Sequence, residues 1–526
     1  MRIGPPTARR DPGTEPRAIR PTRGRGGRPA VLVAAVAAAL AIAAGALLAS
    51  RALRPRPEGL PLAPAALPDG SLWVEHLTRD LAPFWTRPEA LGTPVGAFPT
   101  FRCDDGTLLD PALPCSELAH SGTWISSQLG KEFTRMRSRQ VFFYGVAYHL
   151  TGDPRMLELA RAGVRWLRAN ALEPDGSAVS WWKGRLPDAA PLRRTSQDLA
   201  YANLGLAFWA YLTRDADVLA DAVRLKESIF RTHDDPSFGM LRWVAQGPGG
   251  EAKRQELVAQ LDQVNAYLLL LTPLVPEPEA SAWRADLARL CRILVDRFWS
   301  EENGLFWGSL QDPTERVPGS DHTDFGHTVK ALWMIERAGR LLGDERLVRF
   351  ARERLPRLLA RAYLPRYGCW ASGYRRDGTL DTTMTWWTFA ELDQATGTLA
   401  LADRRYTGVL ERTWACWRAD FVDREAGEVW AFVRPDDPER HVGKQNQWKN
   451  GYHSAEHALV SYLVAQEAKG RPAVLHFAFR RTPERSNGDP PLRPYFFAGD
   501  VAAVSESPLP GFPDRVDVAV SFRNLR

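Results

Sequence analysis

The chain has 526 residues, of which 44% are hydrophobic and 25% charged, with a formal net charge of +6. This is the composition of a globular protein able to bury a large core, at a length beyond one ordinary domain. The positive balance does not point to nucleic acid, because eight arginines between Arg2 and Arg28 stand among prolines and glycines in what reads as a disordered basic tail, residues 1–29.

The stretch from Ala30 to Ser50, AVLVAAVAAALAIAAGALLAS, carries no charge and is long enough to cross a bilayer as a helix. Its length favours an uncleaved anchor over a cleaved secretory signal, and it lacks the polar face of a soluble Ala-rich helix. Arginine is denser before it than after it. The sequence therefore expects a single-pass membrane protein, cytoplasmic at the N-terminus and extracytoplasmic beyond residue 50. Residues 51–69 form a proline-rich linker. Cys103 and Cys115 flank a loop rich in Asp and Pro, where one disulfide is expected; Cys291 and Cys416 lie in apolar helical patterns and read as core residues. No C-x-x-C occurs, which weakens a cysteine-zinc reading.

From residue 70 a turn signal recurs: LTGDPRMLELA, LTRDADVLADA, LVPEPEASAW, LLGDERLVRFA and ATGTLALADRRY. The interval accommodates a helix, a loop and a second helix, the signature of a helical-hairpin array. Before each signal stands a segment apolar almost all round, such as LAYANLGLAFWAYL. After it stands an amphipathic one, such as RLVRFARERLPRLLARAY, whose Leu347, Phe350, Ala351, Leu355, Leu358 and Leu359 mark one stripe. Helices apolar on all sides are buried and striped ones face water. About twelve helices alternate in this way up to residue 470, and the compact solution is a mainly α fold, an (α/α)6 barrel. An open solenoid would need polar terminal caps. Past residue 470 the period becomes two, at Leu475, Phe477 and Phe479 and at Val516, Val518 and Val520, so residues 471–526 are expected to form a small β extension.

Polar residues recur near the starts of the inner helices. They are Arg139 before the second, His327 on the eighth, Trp386, Trp387 and Glu391 on the tenth, and Tyr452 and His453 on the twelfth. The loops GAFPTF, FGMLRW, GLFWGSL, GCWASGY and GEVWAFV precede inner helices and would pave a rim with rings. Such rings stack on the C–H face of a sugar, with core packing as the plainer alternative. HSAEH, with His453 and His457, matches an H-x-x-E-H zinc-peptidase pattern, and DHTDFGH offers His322, Asp324 and His327. A third ligand after HSAEH is hard to find, and no metal is expected.

GAFPTFRCDDG, RQVFFYGVAYHLTGDP, DFGHTVKALWMI, TWWTFAELDQA and QWKNGYHSAEHALV together resemble the N-acylglucosamine 2-epimerase family, which includes cellobiose 2-epimerases and aldose-ketose isomerases. The resemblance spans about residues 70 to 468 and implies the (α/α)6 barrel, a sugar pocket and chemistry without a cofactor. It places His327 and His453 on the acid/base positions, Arg139 on a pocket arginine, and Trp386, Trp387 and Glu391 on the W-W-x-x-x-E helix. His457, one turn on, is read as supporting His453 from behind. Imidazole suits removal of a proton beside a sugar carbonyl, since its pKa lies near working pH.

The chain also departs from the family. Lys330 stands where a glutamate is usual and Glu456 where an arginine is usual. A histidine of the sixth helix is missing, so Asp262, Gln263 or Asn265 must stand in, and a family tyrosine is displaced to Tyr201. The expected protein is thus a membrane-anchored carbohydrate epimerase or isomerase with a sugar partner, no nucleic-acid partner and a homodimer as a candidate assembly. Two alternatives stay open. One is a glycoside hydrolase on the same barrel recruiting carboxylates such as Asp198, Asp262, Asp324 or Glu391; the other is a non-catalytic carbohydrate-binding protein.

Overall fold

Three of the recurring turns join their helices by one local device. In TGDP, TRDA and LGDE a residue in the left-handed region, Gly152, Arg214 or Gly343, ends a helix. The aspartate that follows, Asp153, Asp215 or Asp344, accepts a backbone N–H of the next helix. A left-handed stop and an aspartate cap satisfy orphan backbone groups on both sides of the turn, so a reversal is encoded within four residues.

The computed structural model describes residues 59–437, 441–481 and 491–526. Among the described residues twelve long helices run in order: α1 (70–85), α2 (Thr134–Thr151), α3 (154–171), α4 (Ser196–Thr213), α5 (Ala216–His233), α6 (257–271), α7 (279–298), α8 (Phe325–Leu342), α9 (Glu345–Ala362), α10 (Trp386–Ala402), α11 (407–421) and α12 (Tyr452–Ala468). Each even-numbered helix packs on the next, and α12 returns to α2, which closes a ring of six. The odd-numbered helices lie outside it, α3 against α2 and α4, α9 against α8 and α10, α1 against α12. This is the (α/α)6 arrangement. Every residue of α4 except Asp198 is buried, whereas α9 buries Leu347, Val348, Ala351, Leu355, Leu358, Leu359 and Ala362 and turns its arginines outward. Inner and outer helices are thus told apart by their periodicity.

Beyond α12, strands β1 (Ala473–Arg480), β2 (Asp500–Pro508) and β3 (Arg515–Arg523) form an antiparallel sheet in the order β1, β3, β2. The alternating residues meet in register, Leu475 with Val520, Phe477 with Val518 and Phe479 with Val516. Strand β1 packs on α2, α4 and α12. Tyr148 near the end of α2 donates to Asp517 (2.7 Å), and Arg515 donates to the carbonyl of Thr213 at the end of α4 (3.0 Å). The segment before β2 enters the same end of the ring, with Phe496 against Trp333 and Phe497 under the Arg337 guanidinium. The sheet therefore covers the end of the ring where the even-numbered helices finish, and leaves open the end where they start.

Two expectations need correction. Cys416 is not a plain core residue: it is bonded to Cys369, 47 residues away, while Cys103 bonds Cys115 and Cys291 is free and buried. The Cys369 partner is set by the packing of α11 on the hairpin that follows α9, which no local pattern reveals. The membrane-anchored placement is also overturned, because among the described residues no helix is long and apolar enough to cross a membrane. Apolar helices here are apolar because outer helices cover them. The stretch Ala30 to Ser50 and the basic tail lie outside the described residues.

Phe477 is fully buried, its ring against His149 and Tyr211 of the barrel. Phe477→Ala is expected to cost about 3–5 kcal/mol, read by urea denaturation of the whole chain. Loss of sheet signal alone, with the helical transition unmoved, would show that the sheet does not brace the ring.

Candidate functional site

At the open end of the ring lies a cavity of about 480 Å³ bounded by Arg139, Tyr201, Asp262, His327, Lys330, Trp386, Trp387 and His453, with Trp124, Trp243, Phe432 and Trp448 around its rim. Every even-numbered helix contributes near its N-terminal end. Two close approaches set the geometry. A Cβ on Gly326 would stand 2.4 Å from the Trp387 ring, so glycine lets α8 carry His327 beside that tryptophan. A Cβ on Gly451 would stand 2.5 Å from Phe143, so glycine lets α12 begin deep in the ring, with Tyr452 and His453 as its first residues.

Asp324 caps α8 by accepting the backbone N–H of His327 with Oδ1 (2.7 Å). Its Oδ2 accepts from His327 Nδ1, also at 2.7 Å. One carboxylate thus starts the helix and fixes the imidazole tautomer, leaving Nε2 as the basic nitrogen. Burial draws the His327 pKa below its ordinary value against the opposing pull of Asp324. His453 has Nδ1 3.5 Å from Glu391 Oε1. Burial, followed by the positive charges of Arg139, Lys330 and Lys449, holds it well below the usual imidazole range. Both rings are therefore neutral bases at pH 7. They flank one indole: the centroid of Trp387 is 4.6 Å from that of His327 and 6.0 Å from that of His453.

Between them is a buried charge network. Lys330 Nζ donates to Asp262 Oδ1 (2.7 Å) and to Tyr201 Oη (2.8 Å), Tyr201 donates to the same Oδ1 (2.9 Å), and Gln197 donates to Oδ2 (2.7 Å). Burial works against both charges, but Asp262 keeps the ammonium above its ordinary pKa and Lys330 keeps the carboxyl below its own. Arg139 stacks on Tyr201 (3.8 Å) and donates through Nη1 to the Trp448 carbonyl (2.8 Å). Its Nε is buried with no partner, and among the described residues no carboxylate lies within ion-pair distance of it. A buried, unneutralised guanidinium with a spare donor is suited to an oxygen that becomes negative.

Of the residues singled out from sequence, Arg139, Tyr201, His327, Lys330, Trp386, Trp387 and His453 all meet in this cavity. Arg139 does so from the second turn of α2 rather than from before the helix. Asn265, Glu391 and Tyr452 are buried beneath the floor, where Asn265 Nδ2 donates to Tyr452 Oη (3.0 Å). Among the three α6 substitutes, Asp262 alone reaches the cavity; Gln263 bonds the Ser196 carbonyl. His457 faces away, donating through Nε2 to Asp393 (3.0 Å) between Trp73 and Trp417, so it neither supports His453 nor joins it at a zinc ion. Of the rim loops, FGMLRW and GEVWAFV send Trp243 and Phe432 to the cavity, while Trp370 is buried against Asp393. Sequence reasoning missed Trp124, in a segment between recognised motifs, and Trp448, which stands inside one.

Three groups of side chains come close enough to meet an ion among the described residues. Two contain the disulfide-bonded cysteines. The third, Glu391, His453 and Glu456, joins α10 and α12 and is buried throughout. A groove of about 540 Å³ beside α3 and α5 is lined by Arg165, Arg168 and Arg224, which are paired with Glu158 and Asp221 and bring no catalytic group.

A family profile described as N-acylglucosamine 2-epimerase (GlcNAc 2-epimerase) matches residues 116–456. The cellobiose 2-epimerase of Ruminococcus albus is 24% identical over 336 residues, covering 61% of this chain and 84% of that enzyme. Among solved structures, the cellobiose 2-epimerase of Spirochaeta thermophila aligns with a TM-score of 0.60 at 18% identity, covering 76% of this chain and 96% of that one. A D-mannose isomerase structure aligns with a TM-score of 0.58 at 16% identity, covering 76% and 100%. At these identities the structural likenesses establish the shared fold.

The Lys330–Asp262 pair is almost wholly buried. Lys330→Met strands the carboxylate and is expected to cost about 3–5 kcal/mol, whereas Lys330→Met combined with Asp262→Asn should recover most of that loss. Chemical denaturation of the three proteins checks this; equal losses in the single and double variants would contradict it.

Proposed function

The chain belongs to the N-acylglucosamine 2-epimerase family, and from that premise we propose that it is a carbohydrate 2-epimerase or aldose-ketose isomerase working by imidazole proton transfer. The observation that carries the reading is the pair of neutral imidazoles flanking Trp387 in one cavity. A sugar with a free aldehyde stacks its C–H face on the indole. One imidazole, through Nε2, removes the proton from the carbon next to the carbonyl. The electron pair moves onto the carbonyl oxygen, and the resulting enediolate is held by the spare Arg139 donor. Return of a proton to the same carbon from the opposite face, by the second imidazole, gives the epimer. Return to the former carbonyl carbon, with the 2-hydroxyl proton passing to the former carbonyl oxygen, gives the ketose. The two bases thus account for either product.

The departures at Lys330 and Glu456 amount to an exchange of charge between two helices, with the new cation matched by Asp262. That match supports retention of a working site. It weighs against the hydrolase reading as well: Asp262 already receives three hydrogen bonds and cannot alternate as an acid, and Asp324 is committed to His327. Residues 70–470 would then be the sugar-active barrel and 471–526 its extension. The disaccharide named for the curated relatives, cellobiose, is the first candidate substrate.

Incubation in heavy water with cellobiose, mannose and a uronic acid, followed by proton NMR at C2, tests the proposal. Loss of the C2 signal from at least one sugar is expected, slowed about 100-fold or more in His327→Ala and in His453→Ala. Binding of all three without exchange would replace this reading by that of a carbohydrate-binding protein.

A further inference from the structure

Behind His453, on the side away from the cavity, stand two carboxylates that the proton-transfer scheme leaves unused. Glu391 of α10 and Glu456 of α12 are both fully buried. One donor atom of each lies within 4.8 Å of the other and of a His453 nitrogen. Glu391 Oε1, Glu456 Oε2 and His453 Nδ1 are all buried without a hydrogen-bond partner. Three unpartnered atoms on side chains clustered this closely need hydrogens among them, and His453 Nδ1 can supply one at most. Two ionised carboxylates this close and out of water repel strongly; a proton held between them removes the repulsion and satisfies the remaining acceptor.

The other partner of Glu456 comes from outside the family-matched residues. Tyr495, in the segment before β2, donates its hydroxyl to Glu456 Oε1 (2.6 Å). Its backbone N–H donates to Tyr211 Oη (2.9 Å) and its ring stacks on Phe496 (3.9 Å), so the hydroxyl is held at a fixed place under the barrel floor.

We infer that Glu391 and Glu456 share one proton and serve as its store behind His453, with Tyr495 of the C-terminal extension as the residue that positions Glu456. This rests on the proposed proton-transfer function and assigns the extension a part in it. When His453 Nε2 takes the proton from the sugar carbon, Nδ1 releases its own to Glu391. The carbon loses one proton, the carboxylate pair gains one, and the imidazole stays neutral; the reverse movement reprotonates carbon. The other groups that act on the pair and on His453 are Lys330 and His327 from α8, Arg139 from α2 and Asp262 from α6. Tyr452 of α12 and Lys449 just before it complete the set. The direction of the titrations agrees. Burial and the charge of Glu456 hold Glu391 well above the carboxylate range, and burial pushes Glu456 up to about 7.

Two readouts on the whole chain test this. The first needs no substrate: the infrared difference spectrum of wild type minus Glu456→Gln at pH 7. A C=O stretch of protonated carboxyl, present in wild type and lost when the glutamine amide supplies the missing hydrogen, is expected. Its absence from the difference overturns the inference whatever the sugar results are. The second is the pH profile of C2 exchange with the sugar found active, in wild type and in Tyr495→Phe, which keeps the ring and removes only the hydroxyl. Without that donor the charged form of Glu456 is less stable, so the alkaline limb should move up by about one pH unit. A lowered melting temperature with an unmoved limb would make Tyr495 merely structural and overturn its role.

Discussion

Lys330, Asp262 and Tyr201 come from three helices of the ring and meet at the base of the cavity within 2.9 Å of one another. A lysine buried to this degree is tolerable only with a carboxylate in contact, and a carboxylate only with its remaining lone pairs filled. Gln197 and Tyr201 fill them. The position of α4 against α6 and of α6 against α8 is therefore constrained by charge as well as by apolar packing. The rest of the cavity is built on that arrangement, since Arg139 stacks on the same Tyr201 ring and leaves one guanidinium nitrogen for a ligand.

The two imidazoles are supported in different ways, and the difference follows from where they stand. His327 lies near the rim, where Asp324 serves both the helix start and the ring nitrogen. That contact holds one tautomer. His453 lies deeper, with three cations acting on it and an unfilled gap of 3.5 Å to Glu391. A ring whose inner nitrogen can either give or take a hydrogen is free to change role between base and acid. In chemistry that removes and returns a proton, such freedom at one of two bases is useful.

The far end of the barrel contributes to the same site. A ring of helices must be closed at one end to keep water from its polar axis, and the β extension does so with Phe477, Phe496 and Phe497. From this apolar cover the Tyr495 hydroxyl turns inward, onto Glu456. Cover and site are in this sense continuous, although the family profile ends at residue 456.

Much of this could be read from the amino-acid sequence, because the signals were local. Glycine and aspartate at TGDP and LGDE stop one helix and cap the next within a few residues. Apolar residues on all sides of 199–212 and on one stripe of 345–362 separate inner from outer helices. Near-start positions on inner helices must converge once the ring closes, and this placed His327, His453, Trp387, Arg139 and Lys330 around one cavity. What remained hidden depends on contacts between residues far apart in the chain. Lys330 marked a departure, but that Asp262 rather than Asn265 answers it was decided by the rotation of α6 in the ring. His457 could not be separated from His453 by spacing; only the packing of α10 and α11 turned it toward Asp393 and Trp417. The bond from Cys416 to Cys369 and the reach of Tyr495 to Glu456 likewise depend on which elements meet in space. Local sequence determined the helices and their faces. The partners of the buried charges were set by tertiary structure, because a charge out of water takes whatever opposite group the packing brings within reach.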